Sequence, residues 1–289
     1  MSVCPLPAED PGLVAALRAA GCVFAEEEAA VLLAEATGPA HLAALLARRV
    51  AGEPLELVVG WAAFCGLRVA VEPGVFVPRR RTALLVEQAV AALRHTGGTP
   101  VVVDLCCGSG AVGLAVAAAG PVELHAADVD PVAVGCARRN LAPAGGRVHR
   151  GDLYAALPAG LRGRVDVLAV NAPYVPSAAV ALMPPEARDH EPRAALDGGP
   201  DGTGLHRRVA AGARRWLAPG GTLLVETSAG LAPATAAAVR AGGLRPVVVR
   251  DEDRDATVVA GTAPGGRVPE RSPSGATHRE LPADGPVTP

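Results

Sequence analysis

Short apolar runs alternate with helix-like stretches from residue 100 onward, and this alternation limits the chain to few folds. Helical stretches separate the first five runs, a pattern typical of a parallel sheet with helices on both faces. The last two runs are separated only by residues 251–255, too few for a crossover helix, so they should pair antiparallel. The predicted fold class is therefore α/β, a seven-stranded sheet that ends in an antiparallel hairpin. The predicted strands are Val101–Leu105, Val122–Asp128, Arg147–Arg150, Val165–Val170, Gly221–Thr227, Leu244–Arg250 and Ala256–Gly261.

The chain ahead of this sheet has a different pattern. Leucine and valine recur there at helical spacing, and Gly and Pro interrupt the pattern, which predicts two or three short helices within residues 11–50. Two extended runs, Leu55–Val59 and Leu67–Val71, predict a hairpin, and Thr82–Leu93 predicts a further helix. After residue 263 the chain is rich in Pro, Gly, Ser and charge, without periodicity. The predicted segments are a helical substrate-binding domain at 1–54, a hairpin and linker helix at 55–98, the sheet domain at 99–263 and a disordered tail at 264–289.

Composition argues against several classes of protein. With 27 basic and 29 acidic residues the net charge is −2, so the chain lacks the basic surface of a general nucleic-acid binder. Its six cysteines show no CxxC spacing, which argues against a zinc site and against a disulfide framework. No secretory signal is evident, and Gly, Ser and Pro interrupt the one long uncharged stretch. We expect a cytoplasmic monomer that needs no metal and binds neither membranes nor nucleic acid directly.

A glycine-rich loop follows the first predicted strand. The strand ends at Asp104, and Gly108, Gly110 and Gly113 then match the dinucleotide-binding spacing, which alone is a weak signal. Glycines let a ligand approach the backbone, and the following helix presents unpaired N–H groups. An anion at Asp104 would repel a pyrophosphate but suits the ammonium group of S-adenosylmethionine. The alternative role of Asp104 is to cap the glycine turn.

Acidic residues also end the next two strands. Asp128 can accept hydrogen bonds from both hydroxyls of a ribose, while Asp130, which precedes a proline, is better placed as a helix N-cap. Asp152 follows the third strand and can accept the amino group of an adenine, with Leu153 packed on the ring, or it is an ordinary turn residue. Ligands bind at the carboxyl ends of such strands, so these groups should face one site.

The fourth strand runs into Asn171-Ala172-Pro173-Tyr174. An Asn-x-Pro-Tyr group at the end of a buried strand can hold a planar amide or amine. The Asn side-chain oxygen and a nearby backbone carbonyl each accept one N–H, which leaves the nitrogen lone pair free to attack. The alternative is a strand that ends in a proline turn, because residues before proline favour extended conformations.

Together these motifs resemble class I S-adenosylmethionine-dependent methyltransferases of the amino group. More closely, the chain resembles the protein-(glutamine N5) methyltransferases that modify peptide-chain release factors and a ribosomal protein. The resemblance covers roughly residues 45–262 and includes the stretches 51–55, 73–79 and 184–193 through Asp201-Gly202. It implies that residues 171–174 grip the glutamine amide, with Asn171, Pro173 and Tyr174 as the catalytic residues, and that the helical N-terminal domain helps to bind the protein substrate. It also implies a cofactor site lined by Cys106, Cys107, Gly108, Ser109, Gly110, Asp128, Leu153 and Asn171.

The chain departs from the family pattern at three places. The usual Asn-Pro-Pro-Tyr has Ala172, and the usual first glycine of the cofactor loop is Cys106. After Pro78-Arg79, where the family usually has acidic residues, this chain has Arg80, Arg81 and Ala83. A changed charge near the substrate mouth suggests a different protein partner. Three other interpretations stay open: an amino-methyltransferase of DNA or a small molecule, a nicotinamide dehydrogenase, and a non-catalytic module that binds cofactor.

Overall fold

Three short helices form the N-terminal part of the protein in a computed structural model that describes residues 10–94 and 96–265. The Asp10 carboxylate caps the first helix by accepting hydrogen bonds from two backbone N–H groups of its first turn. Leu17, Leu32 and Leu45 pack between the helices and form a small core of their own. The helices predicted for this part are therefore present. They are α1 (Pro11–Ala19), α2 (Ala25–Glu35) and α3 (Pro39–Val50).

The segment predicted as the first strand of the hairpin is a fourth helix, so that prediction is wrong. In α4 (Leu55–Val59) the backbone N–H groups of Leu57 and Val58 donate to the carbonyl of Pro54. The guanidinium of Arg48 donates to the carbonyl oxygens of Leu57 and Val58, which lie at the helix end where intrahelical donors are missing. A five-residue run with four apolar residues suits a strand or a buried helix equally, and the cap that Arg48 of α3 supplies decides between them.

The hairpin uses the neighbouring residues. It pairs β1 (Trp61–Phe64) with β2 (Leu67–Ala70) in antiparallel register. Gly60 ends α4 with a φ of +83°, a left-handed conformation that lets the chain reverse direction. The second predicted strand is thus confirmed, and the first lies in the segment that was predicted to be the connection.

The main sheet contains seven strands in the order β5-β4-β3-β6-β7-β9-β8. The pairs from β5 to β7 are parallel, and β9 runs antiparallel to both β7 and β8, as predicted. Only the start of β7 differs by more than one residue from its prediction, because Leu217 pairs with Val165 beyond a register shift. The strands are β3 (Val101–Leu105), β4 (Glu123–Asp128), β5 (Arg147–Arg150), β6 (Val165–Val170), β7 (Leu217–Thr227), β8 (Arg245–Asp251) and β9 (Ala256–Thr262).

Helices cover both faces of this sheet. Successive residues of a strand point to opposite faces, so Val102 packs in the core beneath one helical layer and Val103 in the core beneath the other. The first layer contains α5 (Ala83–Leu93), α6 (Ala111–Ala119) and α7 (Pro131–Leu141), and the second contains α9 (Gly204–Ala213) and α10 (Ala232–Ala241). Helix α8 (Pro185–His190) belongs to the long connection between β6 and α9.

The strand order reverses direction between β3 and β6. From β3 the chain proceeds outward to β4 and β5, and it then returns to the other side of β3 with β6 and β7. A crevice forms at the carboxyl ends of the strands where such a reversal occurs. The topology therefore brings the ends of β3, β4, β5 and β6 to one site.

Two remaining expectations concern the ends of elements and of the chain. Helix α5 begins one residue later than predicted, after a single turn of 3-10 helix at Arg80–Thr82. Apart from residues 264 and 265, the predicted tail lies outside the described residues. No helix in the described part of the chain is both long and apolar enough to cross a membrane.

Candidate active site

The crevice holds a cavity that is open to solvent at one side. Most of the residues predicted for the site lie in its wall, together with residues from the hairpin region and from the β6–α9 connection. Among the predicted residues the wall contains Asp104, Cys106, Cys107, Gly108, Ser109, Asp128, Asp152, Leu153, Asn171 and Pro173. Gly110, Ala172 and Tyr174 do not line it.

The glycine loop keeps its left-handed backbone even where glycine is absent. Gly108 and Gly110 have φ angles of +54° and +78°, and Cys106 has a φ of +57° although it carries a side chain. A Cβ atom on Gly110 would lie 3.1 Å from the side chain of Leu141, so this glycine is required for packing as well as for conformation. Cys106 therefore holds a side chain in a left-handed backbone conformation at a cost in strain.

Asp104 is almost fully buried at the end of β3. Its Oδ2 accepts a hydrogen bond of 2.9 Å from the backbone N–H of Gly113 in the following helix. Burial raises the pKa of this carboxyl to about 7. The geometry supports the role of capping the glycine turn. Asp104 also lines the cavity, and its contact with a cofactor ammonium stays a prediction.

Asp128 fastens the glycine loop to β4. Its Oδ2 accepts a hydrogen bond from the backbone N–H of Gly108 at 2.9 Å, and its Oδ1 accepts one from the N–H of Asp130 at 3.0 Å. Each oxygen keeps a further lone pair with which it can accept a hydroxyl proton. The ribose contact of Asp128 stays a prediction. The prediction for Asp130 is confirmed, since its side chain caps α7.

The adenine end of the predicted site has a partner that the sequence did not reveal. Asp152 is paired with the guanidinium of Arg208, a residue of α9 whose side chain is half exposed. Leu153 lines the cavity with a φ of +48°, so its side chain is held in a left-handed backbone conformation. Any hydrogen bond from an adenine amino group to Asp152 therefore has to share that carboxylate with Arg208.

Asn140 anchors the glycine loop from the side of the hairpin. Its Nδ2 donates to the carbonyl oxygens of Ala70 at 2.9 Å and of Ser109 at 2.8 Å, and its Oδ1 accepts from the N–H of Ala70 at 3.0 Å. One amide side chain thus joins β2 to the loop that lines the cavity. Sequence reasoning missed this role, because nothing local indicates that α7 carries a link between two segments far apart in the chain.

Asn171 stands at the end of β6 with its side chain in the cavity wall. Its Nδ2 donates to the hydroxyl oxygen of Thr82 at 3.3 Å. Ala172 is buried in the core, so only its backbone can contribute to the acceptor site. Pro173 lines the wall beside Asn171.

Tyr174 lies behind this wall. Its hydroxyl donates to Oε1 of Glu226 at 3.4 Å, and its ring is 6.2 Å from the ring of His206. Arg81 is on another side of the same ring, with its guanidinium carbon 6.0 Å from the ring centre. Burial raises the pKa of Tyr174 to about 12, so the hydroxyl stays protonated at neutral pH. The catalytic role that the resemblance implies for Tyr174 stays a prediction.

A glycine-rich loop supports the tetrapeptide from behind. A Cβ atom on Gly198 would lie 2.7 Å from the carbonyl oxygen of Pro173, and one on Gly202 would lie 2.5 Å from that of Tyr174. The N–H of Gly198 donates to the carbonyl of Val175 at 2.8 Å. These contacts leave no space for a side chain, which explains why the connection carries glycine at these two positions.

The segment between residues 184 and 195 closes one side of the cavity. Pro192, Ala194 and Ala195 line the wall. Glu191 is buried and ties this segment to the loop before α5, since it accepts hydrogen bonds from the N–H of Val77 and from the guanidinium of Arg79. In the described part of the chain, no group of three His, Cys, Asp or Glu side chains is arranged to hold a metal ion.

Comparisons with known proteins agree with this geometry. The methyltransferase small domain family model matches residues 66–183, which include the loop, Asp128 and Asn171. Release factor glutamine methyltransferase from Geobacter sulfurreducens is 39% identical over 200 residues, which cover 67% of this chain and 68% of that protein. The chain belongs to the release factor glutamine methyltransferase family. The predicted resemblance and the predicted fold class are thus confirmed.

The chain is also similar to a methyltransferase with a different substrate and to a solved methyltransferase structure. A 4-amino-L-phenylalanine/4-methylamino-L-phenylalanine methyltransferase from Streptomyces pristinaespiralis is 40% identical over 184 residues, which cover 62% of each protein. A crystal structure of a methyltransferase from Pyrococcus furiosus has a TM-score of 0.50 and 16% identity, covers 69% of this chain and 90% of that chain, and supports the fold alone. The chain therefore spans about two thirds of the length of the curated relatives described here.

S-adenosylmethionine is the cofactor of this methyltransferase family, and the cavity fits it. A Cβ atom on Gly108 would meet nothing nearer than the Cβ of Phe76 at 4.0 Å, so the loop backbone faces open space. Asp128 retains acceptor lone pairs beside that space, and Leu153 supplies an apolar surface in the same wall. The residues predicted to hold the cofactor are Asp104, those of the glycine loop, Asp128, the pair Asp152-Leu153 and Asn171.

Two residues next to the tetrapeptide were not predicted as parts of the site. Thr82 was expected only to begin a helix, and Glu226 was expected only to end a strand. Glu226 carries the same signal as Asp104 and Asp128, a carboxylate at the end of a buried strand. Extending that rule from the first four strands to the fifth would have found it.

Proposed function

We propose that this protein transfers a methyl group from S-adenosylmethionine to the side-chain amide nitrogen of a glutamine in a protein substrate of the release factor type. The observation that carries the proposal is the position of Asn171, which lies in the same cavity wall as the glycine loop and Asp128. An amide group gripped at Asn171 would therefore share the cavity with the cofactor. Family membership supports the glutamine as the acceptor.

The acceptor chemistry follows from the groups at the end of β6. A glutamine amide nitrogen is a poor nucleophile because its lone pair is delocalised into the carbonyl. The Oδ1 of Asn171 and a carbonyl of the Ala172-Pro173 backbone accept its two N–H groups, which raises electron density on the nitrogen and fixes its direction. Positioning of this kind lowers a barrier by about 7–11 kcal/mol in favourable cases.

The cofactor supplies a methyl group on a positively charged sulfur, so its departing group is a neutral thioether. The protein has to hold the nitrogen in line with that carbon and to exclude water from the contact. Pro173 and the apolar residues of 192–195 form the walls that do so. The new C–N bond makes the nitrogen strongly acidic, and one of its protons then passes to solvent, so no strong base is required.

The proposed partner is a protein, and the helical N-terminal segment is its proposed docking region. The net charge of −2 supports a protein partner over direct contact with nucleic acid. We further propose that the enzyme acts as a monomer in the cytoplasm. Sedimentation of the purified protein alone tests whether it is a monomer, and sedimentation with a release factor tests whether the two proteins bind.

A direct assay tests the activity. The purified protein is incubated with S-adenosylmethionine carrying a labelled methyl group and a release factor, and mass spectrometry locates the label. We expect label on one glutamine, and none when that glutamine is replaced by asparagine. The Asn171→Ala variant should lose transfer while retaining measurable cofactor binding, and near-normal turnover in this variant would refute the assignment.

A second candidate is methylation of the amino group of a small aromatic amino acid. It is favoured by the 40% identity to the 4-amino-L-phenylalanine methyltransferase from Streptomyces pristinaespiralis. An aromatic amine also presents two N–H groups that the same acceptors can hold. 4-Amino-L-phenylalanine offered in the same assay decides between the two, since the preferred substrate has the higher kcat/KM.

A further inference from the structure

A buried carboxylate lies behind the wall that carries Asn171. Glu226 belongs to β7, the strand next to β6, and only 2% of its surface is exposed. Among the described residues its Oε2 receives no hydrogen bond of standard geometry. A buried carboxylate oxygen without a donor is costly, so a neighbouring hydroxyl proton should be directed to it.

Thr82 supplies that hydroxyl. Thr82 is buried and lies directly before α5, yet its side chain makes no capping hydrogen bond to the helix. The adjacent residue Arg81 reaches Glu226 with its Nε at 3.5 Å, and the Thr82 hydroxyl acts against the rise that burial causes in the pKa of this carboxyl. A threonine hydroxyl has one proton, so when it donates to Glu226 it can only accept from its other neighbour.

That other neighbour is the amide of Asn171, whose Nδ2 is 3.3 Å from the Thr82 oxygen. An amide nitrogen can only donate, so a Thr82 hydroxyl that acts as an acceptor fixes the Asn171 NH2 group toward itself. The Asn171 oxygen then faces away from Thr82. A Thr82 hydroxyl free to donate to Asn171 would permit the reversed amide, which presents NH2 where an acceptor is needed.

We propose that Glu226 is a positioning residue of the acceptor site, which orients the amide of Asn171 through Thr82 and holds the hydroxyl of Tyr174 directly. The inference rests on the proposed function, since it assigns the groups that aim the amide clamp. One carboxylate thus sets the direction of both polar side chains in the tetrapeptide 171–174.

Arg81 completes the arrangement as a countercharge. Its Nε is 3.5 Å from Oε1 of Glu226, while its side chain is partly exposed and lies over the ring of Tyr174. A cation at this distance favours the ionised form of Glu226, which is the form that accepts the protons of Thr82 and Tyr174. Arg81 therefore serves to keep a buried acceptor charged.

The orientation of the Asn171 amide can be measured because the whole chain contains only two asparagines. Protein labelled with 15N only in asparagine side chains shows two NH2 pairs by NMR, from Asn140 and Asn171, and the Asn171→Ala variant assigns them. We expect Thr82→Val to shift the Asn171 pair and to leave the Asn140 pair in place, and Thr82→Ser to restore the original position. An Asn171 pair that is unchanged in Thr82→Val would overturn the inference.

Kinetics provide a second test on the carboxylate itself. Glu226→Gln keeps the shape but adds a donor, so we expect kcat to fall on the order of 10²-fold with little change in cofactor KM. Glu87→Gln is the matched control, because Glu87 pairs with Arg254 away from the cavity, and it should keep wild-type kcat. A similar loss in both variants, or a wild-type kcat in Glu226→Gln, would contradict the role.

The two experiments separate failure of this inference from failure of the proposed function. If the wild-type protein methylates neither a release factor nor an amine, the proposed function fails, and the NMR result still decides whether Thr82 orients Asn171. If methylation occurs but Glu226→Gln and Thr82→Val keep wild-type kcat, the proposed function stands and the positioning role is wrong.

Discussion

Replacement of Cys106 should reverse the usual order of stability between alanine and glycine. Cys106 has a φ of +57°, and a side chain in this conformation costs about 1–2 kcal/mol. Glycine removes that strain but loses about 0.5–1 kcal/mol more backbone entropy on folding than alanine does. Both replacements delete the thiol, so its contacts cancel from the comparison. Cys106→Gly should therefore be more stable than Cys106→Ala by up to about 1.5 kcal/mol, with a central value of roughly 0.75 kcal/mol.

Cys107 provides the matched control, since it is the next residue, is buried, and is absent from the left-handed positions among the described residues. Here Cys107→Ala should be more stable than Cys107→Gly by about 0.5–1 kcal/mol. Urea unfolding followed by circular dichroism measures all four variants, and a difference of this size moves the midpoint by about 0.3 M. The reasoning is refuted if alanine is the more stable replacement at both positions.

Three further predictions follow from the described contacts. Asn140→Ala releases the carbonyl of Ser109 and should raise the Kd for S-adenosylmethionine about tenfold while leaving acceptor KM nearly unchanged, as calorimetry and initial rates can show. Because the pKa of Asp104 is raised to about 7, the folded protein holds a proton above pH 4 that the unfolded chain releases, so this group's contribution to stability falls as pH rises toward 7. Asp104→Asn should remove that fall, and parallel urea-midpoint curves for the two proteins from pH 4 to 7 would contradict it. Arg48→Met removes two hydrogen bonds to the end of α4 and should cost about 1–3 kcal/mol of unfolding free energy, which an unchanged urea midpoint would exclude.

Local pattern was sufficient for most of the sheet. The strands β3 and β6 have the predicted boundaries, because a buried parallel strand is a mostly apolar run bounded by turns. The edge strand β5 also has its predicted boundaries, although it is polar and only partly buried. The same reasoning failed at Leu55–Val59, where the run is equally apolar but Arg48 caps it as a helix. It also missed the start of β7, which depends on pairing with Val165 across a register shift.

The candidate site also has a part that the sequence predicts and a part that it does not. Polar residues at strand ends led to Asp104, Asp128 and Asn171, since parallel strands bring their carboxyl ends together whatever the rest of the chain does. The contacts of those residues were not predictable. Asp104 is held by Gly113, and Asn171 is held by Thr82, and neither partner follows from the strand that carries the acid or the amide.

Periodicity, glycine spacing and the residue at each strand's end are local properties, and from them the sequence by itself determined the sheet, its terminal hairpin and the chemical groups offered at its edge. The tertiary structure decided which of those groups face the cavity and which lie behind its wall. Asn171 lines the cavity, whereas Tyr174 does not. The reason is that the orientation of a side chain depends on partners from distant parts of the chain. Thr82 lies 89 residues before Asn171, and Glu226 lies 52 residues after Tyr174.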